Sequence, residues 1–182
     1  RLYLTGFFSS SGLLFLTQKQ SYLLIDSRYI EAAHRSVSCC HVLLEENPLQ
    51  KLSSLVAGQS LEAIGFENHA ISFDDAMALA QAVQPAHLIY DSRVSPSLLS
   101  MRQIKCQEEI QLLREAQEIT DYAFSKCLGQ IHPGVSDMDL RIFLGETMAK
   151  QGCEKRHFNM ILTSGSRTSL PHGDPASHIL QK

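Results

Sequence analysis

Leu13-Leu14-Phe15-Leu16-Thr17-Gln18-Lys19-Gln20-Ser21-Tyr22-Leu23-Leu24-Ile25-Asp26 contains two apolar runs, 13–17 and 22–26, on either side of the polar Gln18-Lys19-Gln20. Short apolar runs flanking a short polar break read as a β-hairpin. Upstream, Leu2-Tyr3-Leu4 reads as a short strand and residues 7–12 as a Ser/Gly-rich loop. Downstream the pattern alternates. A short helix is expected over 28–35, a strand over 37–44, and a helix over 48–56 with Pro48 in its first turn. A strand over 61–66 follows. Next comes a helix capped by Ser72, with Asp74 and Asp75 at the positive end of its dipole, continuing over 76–83 and ended by Pro85. A last strand covers 87–90. Hairpin strands are antiparallel, whereas strands joined through helices are parallel. The expected fold is α/β, a mixed sheet with helices on its faces.

Composition narrows the function. The chain has 182 residues, 44% of them hydrophobic, enough for one sizeable core or two small domains. Its 16 Lys and Arg against 19 Asp and Glu give a net charge of −3, with no basic stripe to serve as a nucleic-acid surface. No apolar run approaches the ~18 residues of a membrane span, and no signal-peptide pattern is present. The five cysteines are odd in number and widely spaced, which favours reduced thiols and a cytoplasmic location. The chain opens on Arg1 in apolar sequence, so truncation at the front is expected.

Two acidic or thiol groupings invite a metal. Asp26, Glu31, Asp74 and Asp91 are scattered over strand ends and helix starts, unlike the clustered carboxylates of a two-metal nuclease. Asp26 and Asp91 each precede a serine, as turn formers do. His34, Cys39, Cys40 and His41 could supply zinc ligands. Yet consecutive residues of a strand point to opposite faces, so Cys39 and Cys40 read as buried cysteines of a strand.

The connection over 92–105 is interrupted by Pro96 and locally basic at Arg102 and Lys105, and the domain boundary belongs there, dividing the chain into 1–100 and 101–182. Apolar spacing of three and four predicts a helix over 105–128, with Glu108, Glu109 and Glu115 on a solvated face and Gly129 at its C-cap. His132-Pro133-Gly134 reads as a turn. Ser136 with Asp139 approaches a capping box for a helix through Lys150, and Gly152 ends it. His132 and His157 read as turn and strand-edge residues. The apolar run 158–162 reads as a strand leading into Ser164-Gly165-Ser166-Arg167-Thr168-Ser169-Leu170-Pro171-His172-Gly173-Asp174-Pro175. Pro171 fixes φ and Gly173 permits close backbone approach, which together hold the His172 imidazole in a defined place. The same letters also describe a plain Pro-Gly turn that contains a histidine.

The order of these pieces decides between the two. Tyr3-Leu4-Thr5-Gly6-Phe7 with Ser11-Gly12, Asp26-Ser27-Arg28-Tyr29-Ile30-Glu31-Ala32, Ile64-Gly65-Phe66-Glu67 and Met101-Arg102-Gln103-Ile104-Lys105 followed by Glu108-Glu109-Ile110 come first. Ala116, Ile119-Thr120-Asp121, His132-Pro133-Gly134-Val135 and Ser164-Gly165 with Pro171-His172-Gly173 complete the set. In this order and spacing the sequence resembles the prolidase, aminopeptidase P and creatinase family, the pita-bread metallopeptidases. Its small departures include Ser27, where Gly is usual, and Asp137, where Glu is common.

The resemblance implies a ribonuclease-H-like N-terminal domain, 1–100, and the opening part of a pita-bread α+β domain, 101–182. It implies a metal-dependent peptidase acting on proline-containing peptides, with two divalent ions, manganese or cobalt, held by two aspartates, a histidine and two glutamates. All five lie downstream of the histidine matching His172, so no metal ligand is expected here, and this chain alone should be an inactive piece of a longer enzyme. By the same resemblance His172 is the catalytic and substrate-binding histidine, hydrogen-bonding the peptide rather than a metal. A homodimer is expected. The resemblance leaves dipeptidase, aminopeptidase P and creatinase-like amidinohydrolase open. The alternative is a non-catalytic homologue serving dimerisation or partner binding.

Overall fold

β1 (Leu13–Leu16) and β2 (Ser21–Ile25) form the expected hairpin, with Leu13 opposite Leu24 and Leu16 opposite Ser21. β3 (His41–Leu44) adds to the other edge of β2 in parallel, Tyr22 opposite His41. The result is a mixed three-stranded sheet in the order β1-β2-β3. This computed structural model describes residues 1–91, 93–154 and 160–181.

β2 is the buried centre, and its alternation sorts two cores. Leu24 faces a cluster with Phe15, Leu52, Val56, Leu79, Val83 and Ala86. Leu23 and Ile25 face the opposite side, with Ala33 and Val37. The first cluster is supplied by α3 (Pro48–Ala57) and α4 (Phe73–Ala82), the second by α2 (Ile30–Ser36). The sheet therefore carries helices on both faces, as its apolar sequence requires. The caps are those the sequence predicts. Pro48 is the first residue of α3, and the Ser72 Oγ accepts from Asp75 N at 3.1 Å.

Four expectations change. Leu2-Tyr3-Leu4 is not a strand: α1 (Leu2–Thr5) is a single helical turn closed by Gly6 in the left-handed conformation, φ 67°. A short apolar run carries no period of its own, and the following glycine favours the turn. The strand expected over 37–44 forms only at its end, because Val37 closes α2 and packs in the second core. Cys39 and Cys40 thus precede β3 rather than lie in it, and neither is buried: Cys39 is exposed and Cys40 half-buried. The later strands, β4 (Ala63–Gly65) and β5 (His87–Ile89), are parallel as expected, but they pair as a separate two-stranded sheet. Finally, Pro96 does not interrupt the connection. It is the third residue of α5 (Val94–Gln103), where a missing N–H leaves no helical bond unmade.

The contacts divide the chain into two units, Arg1–Ile104 and Lys105–Lys182. In the second, α6 (Gln107–Leu128) packs on α7 (Asp137–Lys150) around Ala123, Cys127 and Leu140. Glu109 does more than face solvent: it accepts from Cys106 N at 2.9 Å and caps α6. The expected strand over 158–162 lies partly outside the described residues, and 160–162 belong to no strand. Among the described residues no helix is long and apolar enough to cross a membrane.

Asp26 closes β2 and turns the chain into α2. Its Oδ1 accepts from Arg28 N at 3.0 Å and Arg28 Nε at 3.1 Å, and its Oδ2 from Arg28 Nη2 at 2.8 Å and from the Ser11 hydroxyl. The Arg28 and Ser11 hydrogen bonds hold its carboxyl well below the usual carboxylate range. A depressed folded-state pKa contributes stability above the unfolded value of ~3.9 and loses it as pH falls further. Melting temperature followed from pH 6 to pH 2 should therefore drop more steeply below about pH 4 in the wild type than in Asp26→Asn. Parallel curves would remove Asp26 from the acid response. Leu24→Ala, at a fully buried position, should cost about 2–5 kcal/mol in denaturant unfolding, against about 0.5 kcal/mol or less for Leu16→Ala at the exposed strand end.

Candidate functional site

The His172 loop is built on the start of α7. Ser136 is the N-cap: its Oγ accepts from Asp139 N at 3.1 Å, while Asp139 Oδ2 accepts from Ser136 N at 3.0 Å. The Ser136 hydroxyl, which also donates to Asp139 Oδ2 at 2.6 Å, and then the Ser136 N–H hold the Asp139 carboxyl below its ordinary range. The first two helical N–H groups find partners far along the chain. Asp137 N donates to His178 O at 3.1 Å, and Met138 N to Ala176 O at 3.1 Å. An antiparallel bridge between Ser136 and Ile179 and the bond from Leu180 N to Val135 O, 2.9 Å, extend the pairing. Residues 176–180 are thus laid against the cap of α7.

Between these anchors the chain makes a 3₁₀ turn, Gly165–Ser169, which Gly165 enters at φ 60°. Thr168 Oγ1 donates to Gly165 O and Ser169 Oγ to Ser166 O, which ties the turn to itself. The next turn is closed by Gly173 N donating to Leu170 O at 3.1 Å, with Pro171 and His172 at its two central positions. Pro is favoured at the first of these because its φ is already set. Gly173 is buried, and a Cβ there would stand 2.8 Å from Thr163 Cγ2. Glycine is required by that approach, as the sequence suggested. His172 itself is exposed, and among the described residues its ring makes no hydrogen bond. It is free to meet a ligand.

The loop also has a side-chain anchor that sequence reasoning missed. Asp137 is fully buried, and its Oδ2 accepts from Ser164 N at 3.3 Å and lies 3.9 Å from Arg167 Nη1. Arg167 Nη2 donates to Asp174 O at 2.6 Å. The sequence showed Asp137 only as a departure from the family pattern, where Glu is common, and nothing in its spacing signals burial.

The other candidates stay apart. Asp26 is bound to Arg28, and Glu31 lies 3.4 Å from Arg35. Asp74 starts α4, and Asp91 follows β5. His132 Nδ1 lies 3.0 Å from Pro133 O in its turn, and His157 is outside the described residues. Burial, then the neighbouring Cys39, pushes the Cys40 thiol up to about 11. Among the described residues no three His, Cys, Asp or Glu side chains converge on a metal position.

Comparison with known proteins agrees along the whole chain. Residues 1–104 match the creatinase/prolidase N-terminal domain, and residues 111–182 match metallopeptidase family M24. The uncharacterized peptidase YqhT of Bacillus subtilis is 31% identical over 180 residues, 98% of this chain and 50% of that protein. The structure of an Xaa-Pro dipeptidase from Bacillus anthracis superposes with a TM-score of 0.90 at 28% identity, covering 100% of this chain and 50% of the other. The X-Pro aminopeptidase of Thermotoga maritima gives 0.88 at 25% identity, with 100% and 51% covered. The chain spans about half the length of these relatives. With both sequence families matched in order and the α/β architecture shared, the chain belongs to the creatinase/prolidase family of M24 metallopeptidases.

Proposed function

We propose that this chain is part of a metal-dependent Xaa-Pro peptidase, of dipeptidase or aminopeptidase P type, which hydrolyses the peptide bond before proline. The observation that carries the reading is His172: a histidine at the tip of a pinned Pro-Gly turn, exposed and unpartnered among the described residues, inside the M24 match. In this reading residues 1–100 are the N-terminal domain and 101–182 a partial catalytic domain, working as a homodimer in the cytoplasm. M24 membership implies divalent metal in full-length proteins, and manganese or cobalt would supply the activated water. Among the described residues no cluster of His, Cys, Asp or Glu gathers for a metal, which supports a reading in which the ions are held by other parts of the complete enzyme and this chain alone is inactive.

The role of His172 follows from its chemistry. An imidazole N–H donates to the oxygen of a bound peptide, and the bond strengthens as negative charge grows on that oxygen in the tetrahedral intermediate. It orients and stabilises, and it does not make the nucleophile. The turn supports this by fixing the backbone on both sides of the ring.

The native gene product, assayed with manganese on Xaa-Pro dipeptides and on longer peptides with proline at the second position, should release the residue before proline. His172→Ala should cut kcat ~10²–10³-fold with manganese stoichiometry unchanged. The 182-residue chain alone should show no hydrolysis. Full activity in His172→Ala would remove it from the site, and tight binding of two manganese ions by the isolated chain would overturn the division of labour.

A further inference from the structure

Asp137 is poorly served where it sits. A carboxylate taken wholly out of water needs pairing and full hydrogen bonding. Asp137 has one N–H donor at 3.3 Å and one guanidinium nitrogen at 3.9 Å, and its Oδ1 has no partner among the described residues. The neighbouring Ser164 Oγ is likewise buried and unpartnered. An acid placed merely to favour the helix dipole would do so equally well from an exposed position. The cap itself is already made by Ser136 and Asp139. Orphaned buried polar atoms call for another reason.

The reason is visible in what Asp137 touches. It holds Ser164 N, at the entry to the 3₁₀ turn, and faces Arg167, inside it. Arg167 reaches past the histidine to Asp174 O at 2.6 Å. The chain is therefore fixed before His172 and after it by one buried acid and one arginine. Among the described residues no other side-chain hydrogen bond spans this turn. Arg167, with a side chain 29% exposed, lies partly at the surface, while its partner is at 0%. The acid is the fixed point and the arginine the arm.

We propose that Asp137, acting through Arg167, is the positioning residue for His172. The proposal rests on the peptidase reading above. Neither residue touches substrate. Together they set where the His172 ring stands, and a shift of about 1 Å in such a group can cost as much as 10²-fold in rate.

The test is a double-mutant cycle on the native gene product with manganese and an Xaa-Pro dipeptide. Asp137→Asn should lower kcat about tenfold or more with KM changed less than threefold. In the His172→Ala background the same substitution should lower kcat less than twofold further, because its effect passes through the ring. An equal loss in both backgrounds, or no loss in either, would overturn the proposal. If Asp137→Asn does not fold, as judged by circular dichroism, Arg167→Met enters the same cycle with the same expectations. If the native protein hydrolyses no Xaa-Pro bond, the peptidase reading fails, and the positioning is decided by nitrogen-15 histidine ring signals. Asp137→Asn or Arg167→Met should move those of His172 and leave those of His34 and His41 in place. An unmoved His172 signal would overturn it.

Discussion

The free N–H groups at the start of α7 are the constraint on which the second unit depends. Every helix begins with donors that it cannot satisfy itself. Here the donors of Asp137 and Met138 are taken by carbonyls some forty residues later, His178 and Ala176, and that of Asp139 by the Ser136 hydroxyl. The helix start thereby becomes the floor for the loop. Each such bond contributes only ~0.5–1.5 kcal/mol net, and a good cap ~1 kcal/mol. Among the described residues the buried hydrophobic set here is Ala123, Cys127 and Leu140, of which only Leu140 is large. Burying one leucine contributes ~1.5–3 kcal/mol. Polar anchoring is thus a sizeable contribution in this unit, and it specifies where the loop goes.

The first unit is held differently. β2 presents Leu24 to one core and Leu23 with Ile25 to the other, so one strand is shared by two apolar clusters. A register shift of one residue would exchange the faces and place every one of these side chains on the wrong side. Asp26 then marks the end of the strand, and its bonds to Arg28 and Ser11 turn the chain toward α2. Burial fixes the register, and a local polar knot fixes where it stops.

This contrast explains what could be read from the letters. The hairpin, α3, α4 and the Ser136–Asp139 cap were legible, because apolar period and capping are local properties. The length of β3, the division of β1–β5 into two sheets and the helical turn at Leu2–Thr5 were not. Strand limits depend on partners that the local sequence does not name. Pro96 misled for a related reason, since proline breaks a helix or begins one according to its place in the first turn. At the site, the Pro171-His172-Gly173 turn was legible through residues with special backbone demands. Asp137 was not, because an exposed and a buried acid at a helix start have the same one-letter pattern.

A histidine on a turn is a weaker platform than one on a strand or helix, because a turn has no ladder of bonds to fix it. Three constraints compensate here. Pro171 sets φ before the ring. Gly173 packs so closely on Thr163 that a methyl group could not be added without movement. Arg167, drawn toward Asp137, holds the carbonyl of Asp174 on the far side. Remove the arginine arm and the turn keeps its shape, since proline, glycine and the Gly173 N to Leu170 O bond remain. What it loses is one of its ties to α7, leaving the Ser164 N bond to Asp137 and the pairing of 176–180 with the helix start. Local turn chemistry therefore sets the conformation of the histidine, while the buried acid sets its position, and catalysis by a single hydrogen bond needs both.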